Sequence, residues 1–214
     1  MKVIAIDGPA GSGKSTVARA VADSVGLPYL DTGAMYRSVA FAALRRGADP
    51  DEAGKVAQIA RSMALDMRND GTVWVDGVDA SIEIRGPEVT RAVSIVAANS
   101  EVRSEMRDRQ RAWAIEHGGG VMEGRDIGTV VFPDAELKVY LDARPDVRAD
   151  RRSKEVTDLA YETVAADIAR RDALDQGRED SPLTAAPDAV VIDTSDLSVA
   201  QIVDRVVSAL DRAS

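Results

Sequence analysis

The sequence predicts an α/β fold in which a parallel sheet is flanked by helices and a small antiparallel insert interrupts the alternation. Short apolar runs, typical of strands that are buried on both faces, alternate with segments of helical periodicity. In the middle of the chain, Asp76-Gly77 and the Asn-Asp-Gly segment 69–71 separate short runs of alternating polarity, as hairpin turns do. No repeat, coiled-coil heptad or linker divides the 214 residues. We therefore expect a single domain that contains a subdomain.

The first part of the chain predicts strands and helices in alternation. Residues 3–6 form a continuously apolar run that ends at a glycine-rich turn, which indicates a buried strand. The following helix, 15–25, has apolar residues at helical spacing and ends at Gly26. A brief strand and two helices are expected next, at 29–30, 34–46 and 52–63.

The expected antiparallel insert begins after the third helix. Its strands are predicted at 65–68, 73–75 and 78–80, and helices follow at 87–98 and 101–117. Further buried strands are predicted at 121–123, 137–141 and 189–192, with helices starting at 145 and 157 between the last two. The final helix starts at Ser198, because Ser198 and Gln201 match a capping box.

Composition excludes several classes of protein. Asp and Glu total 36 against 27 Lys and Arg, and the formal net charge of -9 repels nucleic acid and anionic membranes. The chain has no cysteine and one histidine, so disulfides, thiolate catalysis and a multi-histidine metal site are excluded. No apolar run approaches the ~18 residues of a membrane helix, and none resembles a signal peptide. We expect a cytoplasmic protein that binds neither nucleic acid nor membranes.

The most specific local motif is GPAGSGKS at 8–15, which matches G-x-x-x-x-G-K-S between a predicted strand and a predicted helix. In such a phosphate-binding loop, backbone N–H groups converge on the β-phosphate, Lys14 reaches the β and γ oxygens, and Ser15 contacts Mg²⁺. A chance glycine-rich turn is the alternative, and the flanking elements disfavour it. The residues expected to bind ATP are Gly8, Pro9, Ala10, Gly11, Ser12, Gly13, Lys14, Ser15 and Thr16.

This loop alone does not distinguish kinases from GTPases or motor ATPases. A GTPase would carry N-K-x-D, but neither Asn69 nor Asn99 is followed by lysine. The segment DTGAMYR at 31–37 follows the second predicted strand and is a candidate for binding the phosphoryl acceptor. Taken alone, it is also consistent with a loop in which Asp31 or Thr32 caps the next helix.

Several motifs together make the chain resemble the bacterial cytidylate kinases. These are DTGAMYR at 31–37, IRGPEV at 84–89, S-x-V-A-x-x-x-x-V-R at 94–103, GRDIGTVVFP at 124–133 and R-D-x-x-D-x-x-R at 171–178. The resemblance runs from residue 3 to about residue 210. It implies a monophosphate kinase that moves the γ-phosphoryl group of ATP to CMP or dCMP with Mg²⁺, and we expect a monomer.

The resemblance also implies how the chain is divided. A core of 1–63 and 118–214 would carry a monophosphate-binding insert at 64–117 and a helical lid at about 148–162. In that lid, Arg148, Arg151 and Arg152 would reach the transferring phosphate, although salt bridges within the protein are an equal alternative. Glu123, at the end of a strand, would hold a magnesium-bound water.

Residue roles follow from the same resemblance. The residues expected around cytosine are Thr32, Ser94, Arg103 and Asp126. Those expected at the ribose are Arg171 and Asp175. Those expected at the acceptor phosphate are Tyr36, Arg37, Arg125 and Arg178. The expected catalytic groups are Lys14, Arg125, Arg171 and Arg178. An aspartate suits cytosine because it accepts from the N4 amino group, which uracil lacks.

Two other functions stay open at this stage. The chain could be another small kinase with the same loop, acting on UMP, AMP or a non-nucleotide acceptor. It could also be a regulatory module that binds ATP without turnover. Each arginine, taken singly, is more typical of a solvated surface charge than of a ligand, and only its place in a motif favours a functional role.

Overall fold

The computed structural model describes residues 1–68, 71–155 and 160–213. The helices are α1 (Lys14–Val25), α2 (Thr32–Arg45), α3 (Ala53–Ser62), α4 (Pro87–Ala98), α5 (Ser100–Glu116), α6 (Pro145–Glu155), α7 (Tyr161–Gln176) and α8 (Val199–Ala213). The strands are β1 (Lys2–Asp7), β2 (Tyr29–Asp31), β3 (Leu65–Met67), β4 (Val73–Val75), β5 (Val78–Asp79), β6 (Gly119–Gly124), β7 (Leu137–Asp142) and β8 (Val190–Asp193). A 3₁₀ turn covers Glu83–Arg85 and a π turn covers Ile127–Val131.

The main sheet has five strands in the order β2-β6-β1-β7-β8. Strand β1 pairs in parallel with β6 on one side and β7 on the other, and β7 pairs in parallel with β8. Ile4, Ala5 and Ile6 of β1 are fully buried, as the continuous apolar run predicts. Asp7 pairs with Gly124, so the loops that follow β1 and β6 start side by side at the carboxyl edge of the sheet.

The predicted meander is confirmed as a second, antiparallel sheet in the order β3-β4-β5. Val75 pairs with Val78 across a tight turn. In that turn Asp76 and Gly77 both have positive φ, 51° and 77°, which is the backbone that a two-residue hairpin requires. The other predicted turn, at 69–71, includes residues 69 and 70, which lie outside the described residues.

The chain divides into two compact units, one formed by Met1–Tyr29 and Ala114–Ser214 and the other by Leu30–Trp113. In the first unit, α1 and α8 pack on the sheet through residues such as Val17, Val21, Val206 and Leu210. In the second unit, α2 packs against α3 and α4. These two units are defined by their compactness and not by what they bind. They therefore do not test the expected monophosphate-binding insert at 64–117, which stays a prediction.

Two helix starts can be compared with the sequence. At α8, the Ser198 N–H donates to Gln201 Oε1 at 2.9 Å, and the Gln201 N–H donates to Ser198 Oγ at 3.3 Å, which confirms the capping box. The predicted start at 157 lies outside the described residues, as do residues 156–159 of the expected lid, and the described helix starts at Tyr161. Within the described ranges, no helix is both long and apolar enough to cross a bilayer.

Candidate active site

The loop between β1 and α1 has the backbone of a phosphate-binding loop. Gly8, Gly11 and Gly13 all have positive φ, at 153°, 75° and 88°. A Cβ atom on Gly8 would lie 2.1 Å from the carbonyl oxygen of Leu141, so only glycine fits against β7. Gly13 is the N-cap of α1 and supplies no capping side chain. The N-terminus of α1 is therefore arranged to take an anion.

Lys14 is buried at the base of this loop, where its Nζ donates to the carbonyl oxygen of Pro9 at 2.7 Å. Burial and the nearby positive charges of Arg125 and Arg171 lower the pKa of Lys14 to about 7, against the opposing effect of Glu123 and Asp7. Lys14, Arg125 and Arg171 thus lie near one another at the loop, a grouping that suits a polyanionic ligand.

Three oxygen-bearing side chains meet beside the loop. Ser15 Oγ donates to Glu123 Oε2 at 2.9 Å, and the hydroxyl of Tyr29 donates to Glu123 Oε1. Among the described residues, no group of three or more His, Cys, Asp or Glu side chains could hold a metal alone. Mg²⁺ commonly takes one or two protein oxygens and completes its shell with water and phosphate. The hydroxyl and carboxylate of Ser15 and Glu123 fit that donor set.

Asp7 is a site residue that sequence reasoning missed. Its Oδ1 accepts from the Ile127 N–H at 2.9 Å and its Oδ2 from the Gly128 N–H at 2.8 Å. Burial raises the pKa of Asp7 to about 6, although the two backbone hydrogen bonds favour the ionised form. Asp7 thereby fixes the start of the segment after β6, which contains Arg125 and Asp126. The available signal was a carboxylate that ends an apolar strand just before a phosphate loop.

The buried carboxylate of Asp175 binds two arginines, Arg125 and Arg178. Arg125 Nε donates to Asp175 Oδ2 at 2.8 Å, and Arg178 Nη2 donates to Asp175 Oδ1. Burial opposes ionisation, yet Arg125, Arg178 and Arg171 together hold the pKa of Asp175 below its usual value. The structure therefore brings the three predicted catalytic arginines together around one aspartate.

Two of the three expected lid arginines contact the phosphate loop. Arg148 donates to the carbonyl oxygens of Ala143 and Ala10, at 3.0 and 3.1 Å, and pairs with Asp172. Arg151 donates to Thr194 Oγ1 and to the Thr194 carbonyl oxygen, at 2.9 and 2.7 Å, and to the Ser12 carbonyl oxygen at 3.4 Å. Arg152 is half-buried on the same helix.

The second unit contains the remaining acceptor-side residues. Asp31 caps α2, as one sequence interpretation held, by accepting from the Ala34 N–H at 2.8 Å. Arg103 is buried with its guanidinium carbon 5.4 Å from the ring centre of Tyr36, and it donates to the Ala97 carbonyl oxygen at 3.2 Å. Arg37 donates to Thr90 Oγ1 at 3.4 Å. Thr32 is buried and Ser94 is half-buried.

The predicted residues thus fall into two sets, each within one unit. The set in the first unit comprises the loop residues 8–16 together with Glu123, Arg125, Asp126, Arg148, Arg151, Arg152, Arg171, Asp175 and Arg178. The set in the second unit is Thr32, Tyr36, Arg37, Ser94 and Arg103. Their individual roles stay predictions.

Comparison with known proteins decides the family. A family model described as cytidylate kinase matches residues 4–212. The chain belongs to the cytidylate kinase family. It is 51% identical to a cytidylate kinase of Mycolicibacterium paratuberculosis, over 94% of this chain and 92% of that protein. It is 45% identical to a cytidylate kinase of Bacillus subtilis, over 99% and 97%.

One relative carries the cytidylate kinase sequence within a larger protein. A bifunctional pantoate ligase/cytidylate kinase of Synechococcus is 48% identical over 96% of this chain, which spans 40% of that protein. Among solved structures, an uncharacterized protein from Eubacterium ventriosum aligns at a TM-score of 0.57 and 14% identity, over 99% of each chain. A shikimate kinase from Bacteroides thetaiotaomicron aligns at 0.52 and 12%, over 98% of each. These two structures confirm the α/β fold predicted for this cytidylate kinase family member.

Proposed function

We propose that this protein transfers the γ-phosphoryl group of ATP to CMP and dCMP, giving ADP and CDP or dCDP. Membership of the cytidylate kinase family supports this substrate class. The observation that carries the chemistry is the buried Lys14 at the phosphate loop, with Arg125 and Arg171 close enough to lower its pKa to about 7. Cations grouped next to a phosphate loop stabilise the charge of a phosphoryl group in transfer.

The reaction needs no general base. The second pKa of a phosphate monoester is about 6, so the acceptor oxygen of CMP is already an anion at neutral pH. The protein therefore acts by aligning the two nucleotides and by neutralising charge. Lys14 contacts the β and γ oxygens of ATP, while Arg125, Arg171 and Arg178 stabilise the charge of the phosphoryl group in transfer.

Magnesium fits the oxygens beside the loop. Ser15 would hold the ion directly, and Glu123, which accepts from Ser15 Oγ at 2.9 Å, would hold it through water. The ion supplies further neutralisation of the phosphate charges when it is bound. Before it binds, the contact of Glu123 with Ser15 keeps both oxygens oriented.

The acceptor contacts are proposed residue by residue. Asp126 is 4% exposed at the start of the π turn, and we assign it to the N4 amino group of cytosine. Thr32, Ser94 and Arg103 complete the base contacts, and Arg171 and Asp175 hold the ribose. The phosphate ligands are Tyr36, Arg37, Arg125 and Arg178. Arg151 and Arg152 of α6 reach the transferring phosphate, whereas the contacts of Arg148 support a different role.

Localisation and assembly are proposed on composition. Zero cysteines suit a reducing cytoplasm, and the net charge of -9 disfavours binding to nucleic acid. We also propose a monomer. Sedimentation equilibrium at micromolar concentration should give the mass of one chain, and a concentration-dependent rise in mass would contradict the monomer.

Release of ADP in a coupled assay tests the activity. Wild-type protein with Mg²⁺ and ATP is offered CMP, dCMP, UMP, AMP or shikimate in turn, and we expect the highest kcat/KM with CMP or dCMP. Turnover greatest with another acceptor would identify a different small kinase. ATP binding without acceptor-dependent turnover would identify a regulatory nucleotide-binding module instead.

A further inference from the structure

The tip of the phosphate loop rests on the helix pair α6–α7. These helices pack against each other through an apolar cluster of Ala149, Val164 and Ile168, and the side chain of Ala10 packs against that cluster. Ala10 is a loop residue, whereas the cluster lies far along the chain within the same unit. The position of the loop therefore depends on side chains of α6 and α7.

One ion pair binds both backbone groups of Ala10. The Ala10 N–H donates to Asp172 Oδ1 at 3.2 Å, and Arg148 Nη1 donates to the Ala10 carbonyl oxygen at 3.1 Å. Arg148 and Asp172 also bind each other, and they are 9% and 7% exposed. Arg148 Nε donates to the Ala143 carbonyl oxygen at 3.0 Å, which anchors the guanidinium to the segment after β7.

The adjoining loop residues are held from the same side. A Cβ atom on Gly11 would lie 2.7 Å from the carbonyl oxygen of Arg148, so the loop backbone lies directly against α6. The Ser12 carbonyl oxygen accepts from Thr194 Oγ1 at 3.1 Å and from Arg151 Nη1 at 3.4 Å. Donors outside the loop thus occupy the carbonyl oxygens of residues 10 and 12. Loop carbonyls held outward favour N–H groups that converge inward on a phosphate.

We propose that Arg148 and Asp172 are positioning residues for the donor nucleotide: through Ala10 they hold the phosphate loop in the shape that binds ATP. This inference rests on the proposed use of ATP. The buried carboxylate of Asp172 pairs with Arg148, whereas Arg151 is half-buried and donates to uncharged oxygens. This difference separates the role of Arg148 from that of an arginine that touches the transferring phosphate. A contribution to stability does not by itself explain why this pair is present, because a buried ion pair can often be replaced by apolar residues without loss of stability.

The test is a double-mutant cycle with two readouts. The variants are Arg148→Met, Asp172→Leu and the double variant, in which two apolar side chains replace the pair. We measure KM for ATP, KM for CMP and the Kd of a fluorescent ADP analogue, together with the melting temperature. The matched control is Arg144→Met, since Arg144 lies just before α6 and pairs with the exposed Asp196 at 2.7 Å.

If the pair positions the loop, all three variants raise KM for ATP and the Kd of the ADP analogue by about tenfold or more, which is ~1.4 kcal/mol, while KM for CMP changes less than about twofold. The effects of the two single changes on nucleotide affinity do not add in the double variant, because either change already removes the Arg148–Asp172 pair that holds Ala10. The control variant keeps wild-type values. The double variant recovers the wild-type melting temperature without recovering nucleotide affinity, a separation that a purely structural role does not produce.

Other outcomes overturn the inference. A fall in kcat with unchanged Kd for the ADP analogue would mean that Arg148 acts on the transferring phosphate. Affinity that returns together with the melting temperature would mean that the pair only stabilises the fold. If the wild type turned over CMP and the variants kept its nucleotide affinity, this inference alone would be overturned. If the wild type bound no ATP, the proposed function would be overturned as well.

Discussion

At the scale of single residues, buried charged side chains mark the candidate active site. Burying an ionised side chain costs free energy unless a partner compensates it. Among the described residues of the first unit, the buried charged side chains are Asp7, Lys14, Glu123, Asp126, Arg148, Asp172 and Asp175. Motifs identified Lys14, Asp126 and Asp175 in advance. Asp172 lay inside a motif without a role, because its partners, Ala10 and Arg148, are close only in the folded chain.

Asp126 gives a specificity prediction. If Asp126 accepts from the N4 amino group of cytosine as proposed, its carboxylate would face the O4 carbonyl oxygen of UMP, and this repulsion would supply much of the discrimination. In Asp126→Asn the amide can donate to O4, so CMP loses about 1.5 to 3 kcal/mol of charged hydrogen bonding and UMP loses little. The ratio of kcat/KM for CMP over UMP should fall at least about tenfold.

The control for that measurement is Asp134→Asn, which makes the same chemical change at an exposed position. It should leave both kcat/KM values near the wild-type level. If Asp126→Asn weakened CMP and UMP equally, Asp126 would act through a neighbour such as Arg125 rather than by reading the base.

Asp7 gives a prediction about stability and pH. The pKa of Asp7 in the folded protein, raised by burial to about 6, lies above the usual aspartate pKa of 3.8. Between these two pH values the folded protein therefore holds a proton that the unfolded chain releases. The contribution of Asp7 to the free energy of unfolding therefore falls as pH rises from about 4 to about 6, with a slope of at most ~1.4 kcal/mol per pH unit.

Urea unfolding of wild type and Asp7→Asn between pH 4 and 7 measures this slope. The stability difference, wild type minus variant, should shrink up to about pH 6 and then become constant. The exposed Asp134→Asn should show no such slope. A difference that grew with pH would show that the hydrogen bonds from Ile127 and Gly128 outweigh burial and keep Asp7 ionised.

At the scale of elements, the predicted helices and strands are largely confirmed, and the differences have local causes. Strand β6 was expected at 121–123 and begins at Gly119, since glycines carry no apolar signal although they pair with β1. A Cβ atom on Gly119 would lie 2.1 Å from the Lys2 carbonyl oxygen, so this position needs glycine. The π turn at Ile127–Val131 was missed, because one short apolar turn has no periodicity to detect.

Helix α8 gives a prediction at this scale. Its apolar face, with Ile202, Val206 and Leu210, packs on the first unit's core, and the box of Ser198 and Gln201 caps its start. Ser198→Ala should lower the free energy of unfolding by about 1 kcal/mol. Ser208→Ala, an exposed serine inside the same helix, should change it by less than about 0.5 kcal/mol. Equal losses from both substitutions in urea unfolding would show that the box contributes nothing specific.

At the scale of the molecule, the two units differ in the continuity of the chain that forms them. Residues 30–113 form one continuous unit, whereas the first unit is assembled from both ends of the chain. Within the first unit, Ile4 must pair with Val121, so its central strands join distant segments. The parallel pairing of β1 and β6 also places the phosphate loop beside the segment that starts at Gly124, as ligand sites in open α/β sheets require.

This topology predicts an order of folding. If the continuous unit forms first, the flexible chain between Ile4 and Val121 becomes shorter. The entropic cost of closing this loop to pair β1 with β6 then falls by roughly 1 kcal/mol, which corresponds to a factor of roughly five in the rate of pairing. Pulsed hydrogen exchange during refolding should therefore detect protection of amides in α2 and α4 before those in β1 and β6.

Two matched substitutions in buried valines sharpen this prediction. Val93→Ala, in the second unit, should mainly slow folding, because its contacts form before the rate-limiting pairing of the sheet. Val206→Ala, in the first unit, should mainly speed unfolding, because its contacts with the sheet form afterwards. Stopped-flow folding and unfolding rates in urea measure both effects. Simultaneous protection of β1 and α2, or a larger folding defect in Val206→Ala than in Val93→Ala, would mean that the sheet pairs before the continuous unit is formed.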